Sequence, residues 1–192
     1  MTRVLALLVA AVTMLAAAGQ AQAQADMRDI MGGGPNFFNG GGGGSSPIQR
    51  TTVNFDSNYV PGTIVVNTAE RRLYLVLPNG QALRYGIGVG RDGFRWGGVH
   101  RVSAKKQWPG WTPPSQMRAR RPDLPRYMAG GIENPLGARA MYLGSTLYRI
   151  HGSNEPETIG QAVSSGCFRM TNDDVTDLYD RVSVGATVVV KN

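Results

Sequence analysis

Arg72-Leu73-Tyr74-Leu75-Val76-Leu77-Pro78-Asn79-Gly80-Gln81-Ala82-Leu83-Arg84-Tyr85-Gly86-Ile87-Gly88-Val89 is the stretch that sets the fold class. Two apolar runs flank Asn79-Gly80, and Asn-Gly in that setting is the strongest short-range sign of a β-hairpin. Working outward, residues 63–66 are short and β-branched, and a further strand is expected over residues 99–108. Residues 138–143 and 146–150 flank Gly144-Ser145 as a second hairpin, and residues 187–190 close the sheet. One good helix stands out. Thr171 is its N-cap, Asp174 three residues on makes a weaker variant of the capping box, and Val175, Leu178, Tyr179 and Val182 share one face before Gly185. Many strands with one or two short helices predict a mainly β barrel or sandwich. Strands and helices do not alternate, which argues against a parallel α/β fold.

The chain has 192 residues, enough for one domain with a sizeable core but too few for two ordinary ones plus the N-terminal region. A single Cys excludes an intramolecular disulfide framework, and with only two His beside it zinc-finger ligand sets are excluded too. At the N-terminus, Arg3 precedes an apolar run over residues 4–18 broken only by Thr13. Ala21-Gln22-Ala23 and Ala23-Gln24-Ala25 then both fit an Ala-x-Ala cleavage site. This predicts a signal peptide over residues 1–23 and an exported chain with no membrane span after cleavage, because the run is shorter than the roughly 20 residues a span needs. Export weighs against nucleic acid as the partner of the +7 net charge. Residues 24–58, with Gly32-Gly33-Gly34-Pro35 and the five glycines before Ser45-Ser46-Pro47, read as a Gly/Ser/Pro-rich disordered tether. The folded domain is expected over residues 59–192.

Between Arg84 and Arg126 ten basic residues stand against Asp92 and Asp123, with Trp108-Pro109-Gly110-Trp111-Thr112-Pro113-Pro114 among them. One reading is a solvated, irregular excursion. The other is a loop over an active site that attracts an anionic partner, for which an exported chain has the bacterial cell wall at hand.

The only Cys lies in Val163-Ser164-Ser165-Gly166-Cys167-Phe168-Arg169-Met170, sixteen residues after His151-Gly152 at the end of a predicted strand. A thiol becomes a nucleophile through a depressed pKa or a neighbouring base. His151 could take its proton, Arg169 adds positive charge, and the helix beginning near Thr171 brings its positive end to the same region. Amides around Gly166 and Cys167 could hold a developing oxyanion. The plainer alternative is a small buried Cys and a structural His.

His151-Gly152, then Ser164-Ser165-Gly166-Cys167-Phe168-Arg169-Met170 with Asp174, resembles the L,D-transpeptidase (YkuD-type) signature, HG…S-[HS]-G-C-x-R-[ML]-x-x-x-D, over roughly residues 59–191. The resemblance implies a mainly β catalytic domain, located in the periplasm and wall-associated, that acts on peptidoglycan tetrapeptide stems. Cys167 would attack the carbonyl before the terminal D-residue, giving a thioester. An amine acceptor would then resolve it. His151 would be the base and then the acid. Gly152 or Ser165 would orient its ring. Arg169 would fix the Cys loop or meet a substrate carboxylate, and Trp108 and Trp111 would serve in substrate binding or loop fixing. No metal or organic cofactor is implied, and carbapenem-type lactams are the inhibitors to expect. The acceptor is left open: a stem peptide, an outer-membrane protein or lipoprotein, a D-amino acid or water. A hydrolase on the same scaffold and a non-catalytic wall-binding module are the alternatives.

Overall fold

The computed structural model describes residues 46–192; the expected signal peptide and most of the expected tether lie outside the described residues. In chain order the strands are β1 (Thr51–Asn54), β2 (Ile64–Asn67), β3 (Arg72–Leu77), β4 (Gln81–Gly86), β5 (Val89–Gly90), β6 (Gly98–Gln107), β7 (Arg139–Leu143), β8 (Arg149–His151), β9 (Ala162–Ser164), β10 (Phe168–Arg169) and β11 (Thr187–Lys191). Among the described residues they are joined by two α-helices, α1 (Ser115–Arg120) and α2 (Asn172–Arg181), and a 3-10 turn at Pro156–Thr158. The mainly β expectation therefore holds.

The expected hairpin is β3–β4, in antiparallel register from Arg72↔Gly86 to Leu77↔Gln81. Its reversal uses two consecutive residues at positive φ, Asn79 at 62° and Gly80 at 67°. Glycine enters that region freely and Asn tolerates it better than most residues. From this hairpin the sheet grows through β2 to β11, which pairs parallel to β2 and antiparallel to β6. The full order is β1-β4-β3-β2-β11-β6-β7-β8-β10. β6 serves both halves. Its first part pairs with β11 and its second with β7, and an irregularity between Val102 and Ala104 bends it across. The sheet curls back on itself: Gly88, just beyond β4, exchanges two backbone hydrogen bonds of 2.9 Å with Arg169 in β10.

Strand alternation decides what lies inside. Ile64 and Val66, Leu73 and Leu75, and Val188 and Val190 point to one face and join Tyr85, Ile150, Phe168 and Met170 in the core. α2 closes it with Val175 and Leu178, joined by Val182 at its C-cap. Its cap is as expected, with the Asp174 amide donating to Thr171 Oγ1 at 3.2 Å. At its other end Lys105 Nζ donates to the carbonyls of Tyr179 and Val182 at 2.6 Å each, a cation on the negative end of the helix. Part of the basic stretch read as a partner-attracting patch is thus structural.

Three expectations are corrected. Residues 51–54, assigned to the tether, form β1 on the free edge of β4, and Arg50 before them reaches Asp174 at 3.3 Å and Asp177 at 3.4 Å. The β-branched Thr51-Thr52-Val53 was overshadowed by the glycine run ahead of it. The single strand expected over residues 82–89 breaks at Gly86, and β5 pairs instead with β9, in parallel. The excursion after β6 is not structureless. Residues 115–120 form α1. Outside that segment, Trp111 and Met128 exchange backbone hydrogen bonds of 2.8 Å. Asn134, 1% exposed, donates to the carbonyls of Pro109, Met128 and Ala129 and accepts from the Leu136 amide. Asn134→Ala would orphan several buried backbone groups. It should cost about 2–3 kcal/mol, read as a lowered urea midpoint at unchanged m-value.

Candidate active site

β8 and β10 lie side by side and parallel, with Phe168 opposite Ile150 and Arg169 opposite His151. Ile150 and Phe168 are buried in the core at 0% and 1% exposure, so their neighbours must face the other way. That rule places Arg149, His151, Cys167 and Arg169 on a single face. Continuing the register one residue back sets Cys167 beside Arg149 and diagonal to His151. The pairing of two short strands sets the two residues, sixteen apart in sequence, on one sheet face.

His151 is 4% exposed. Its Nδ1 lies 2.5 Å from the Gly152 carbonyl oxygen. A carbonyl only accepts, so Nδ1 carries the proton and Nε2 keeps its lone pair. Burial pushes the imidazole pKa down to about 3, helped by the Arg169 and Arg149 guanidiniums and opposed by the hydrogen bond to Gly152. Burial likewise pushes the half-buried Cys167 thiol up, against the pull of Arg149 and Arg169. The resting pair is therefore neutral thiol and neutral imidazole, not a preformed ion pair. Of the two groups expected to orient the imidazole, Gly152 is the one in contact. Ser165 is half-buried in the loop before Cys167, where the loop's contacts come from its neighbour. Ser164 Oγ donates to the Cys167 carbonyl at 2.6 Å and accepts from the Gly166 amide at 3.1 Å. The Gly166 amide expected to face an oxyanion is thus already engaged.

Arg169 is 3% exposed and donates to Glu155 at 2.9 Å and Thr158 at 3.4 Å. Of its two expected roles the geometry serves loop fixing. Removing one partner of such a buried pair typically costs 3–5 kcal/mol. Trp108 is 44% exposed and Trp111 is buried at the base of the excursion. The indole that reaches the Cys167 loop is that of Trp96, which no sequence signal marked. Its Nε1 donates to the Gly166 carbonyl at 2.6 Å, and its ring stacks on Tyr148 with centroids 4.4 Å apart. Tyr148 occupies the place that a Cβ on Gly166 would take, and Gly166 has φ 106°. Only glycine suits that position. Arg149 was also missed, although it stands two residues before His151 and so on the same strand face. Among the described residues no group of three or more His, Cys, Asp or Glu side chains could hold a metal ion. No described helix is long and apolar enough to cross a membrane.

The family model of the L,D-transpeptidase catalytic domain (YkuD) matches residues 61–190. The chain belongs to the L,D-transpeptidase family. It is 40% identical over 136 residues to the probable L,D-transpeptidase ErfK/SrfK of Escherichia coli K12, covering 66% of this chain and 43% of that protein. Identity is 42% over 135 residues to the probable L,D-transpeptidase YbiS of the same organism, covering 65% of this chain and 43% of that protein. The matched region thus spans less than half the length of these relatives. Among solved structures, a Brucella melitensis protein described as a probable carnitine operon oxidoreductase is 46% identical at a TM-score of 0.52, covering 77% of this chain and 96% of that one. An L,D-transpeptidase from Mycobacterium smegmatis, 18% identical at a TM-score of 0.55 and covering 68% of this chain and 58% of that one, shares the fold.

Proposed function

We propose that this chain is a cysteine-dependent L,D-transpeptidase that acts on peptidoglycan tetrapeptide stems, exported to the periplasm and wall-associated there. The observation that supports it is the common face of β8 and β10, which carries both Cys167 and an imidazole whose free nitrogen is a base. Cys167 Sγ attacks the carbonyl of the third stem residue while His151 Nε2 takes its proton. The Nε2 proton then passes to the leaving amine, the terminal D-residue departs, and a thioester remains. An acceptor amine loses a proton to Nε2 as it attacks the thioester, and the thiol is regenerated. The acceptor is a second stem peptide or an outer-membrane protein or lipoprotein. Arg169, Ser164 and Trp96 hold the nucleophile loop, and no cofactor takes part.

The test is to incubate the protein with a defined tetrapeptide stem, with and without an amine acceptor, and to identify products by mass. Loss of the terminal D-residue with transfer to the amine supports the reading. Release of a tripeptide acid alone would favour a hydrolase, and no reaction a binding module. Trp96→Phe keeps an aromatic ring but removes the donor to Gly166. It should slow thioester formation about tenfold in single turnover by loosening the loop, while costing about 1 kcal/mol of stability.

A further inference from the structure

Two guanidiniums flank the nucleophile, and they are in different states. Arg169 is 3% exposed and paired with Glu155. Arg149 is half-buried and, among the described residues, has no carboxylate within ion-pair distance. Its Cζ lies over the Tyr142 ring, 5.1 Å from the centroid, and Nη1 donates to the Leu147 carbonyl at 3.0 Å. Its Nε is shielded from solvent with no hydrogen-bond partner. The Cys167 sulfur approaches the same Leu147 carbonyl, at 4.0 Å.

We propose that Arg149 is the carboxylate-recognition site of the donor, binding the free α-carboxylate of the terminal residue that leaves. This rests on the reaction proposed above and adds its chain-end specificity. A guanidinium is a rigid fork of five donors matched to a carboxylate. The Leu147 carbonyl takes Nη1 and Nε is shielded from solvent, so Nη2 is the donor left to meet a carboxylate, beside the Tyr142 ring and the Cys167 sulfur. The leaving residue's carboxylate lies three bonds from the carbonyl carbon that Cys167 attacks. One residue of chain spans at most about 3.6 Å, so a stem seated on the sulfur carries its terminal carboxylate into the neighbourhood of Arg149. A stem lengthened by one residue would put a neutral peptide group there instead. The site thereby selects the last peptide bond of a stem and no earlier one.

The experiment compares a tetrapeptide stem carrying a free terminal carboxylate with the same stem as its carboxamide. It measures kcat/KM for thioester formation on Cys167 by intact mass, in wild type, Arg149→Gln and Arg149→Lys. Wild type should prefer the acid by about 10- to 100-fold, the range of a charge-assisted contact. The preference should fall toward one in Arg149→Gln and be partly kept in Arg149→Lys. A wild-type ratio near one would overturn the proposal. So would an Arg149→Gln protein that loses activity equally on both stems, since a guanidinium serving only the thiol or the fold would act alike on each. Absence of any thioester with either stem in wild type would instead overturn the reaction itself, and this inference with it.

Discussion

Cys167→Ala is expected to abolish release of the terminal D-residue, a loss of at least about 10⁴-fold, because no other thiol exists in the chain and water cannot form the covalent intermediate. The same variant should form no adduct with a carbapenem-type lactam, judged by intact mass. The fold should be nearly unaffected, since Cys167 is half-buried and its contact with the Leu147 carbonyl is long at 4.0 Å. A lactam adduct on the variant, or residual turnover within tenfold of wild type, would remove Cys167 from the mechanism.

His151→Gln is expected to slow thioester formation by about 10²- to 10⁴-fold, the usual worth of a positioned general base. The effect should be large here because the thiol starts protonated: burial holds it above its ordinary range. Its pH dependence separates this account from a thiolate–imidazolium pair. The folded imidazole gains a proton only near pH 3, whereas an unfolded one gains it near 6.5. The base therefore stays competent between pH 7 and 5, and kcat/KM should show no imidazole step there. An acid limb centred near 6.5 would contradict it. Stability follows the same linkage. Between pH 6.5 and 3 the unfolded state binds the extra proton, so this contribution is fully present above about 6.5 and is lost as pH falls toward 3. It amounts to roughly 3–5 kcal/mol by the linkage relation. His151→Gln should lack that part of the acid destabilisation, which urea titrations across this pH window would reveal.

Much of the fold was legible because it rests on local chemistry. Asn79-Gly80 turns where two left-handed residues are needed. Thr171 caps α2 because its hydroxyl is the right distance from the Asp174 amide. β1 was missed because its pairing partner, β4, lies about 30 residues away, while the neighbouring glycines suggested a tether. Gly86, which ends β4, was equally opaque: an ideal Cβ there would come within 2.6 Å of the Ile48 Cβ, a contact that only packing creates.

The site divides in the same way. By itself the amino-acid order determined the family and pointed to the proposed nucleophile and base, because a lone Cys in Ser-Ser-Gly-Cys-Phe-Arg-Met after His-Gly is a pattern of residue types at set spacing. The tertiary structure alone decided which cation is free. Arg169 and Arg149 are alike as letters. Glu155 pairs with one of them, while the other lies on an aromatic ring beside the sulfur with no carboxylate paired to it among the described residues. Charge pairing is a property of distance in space, and strand register, not chain order, sets that distance.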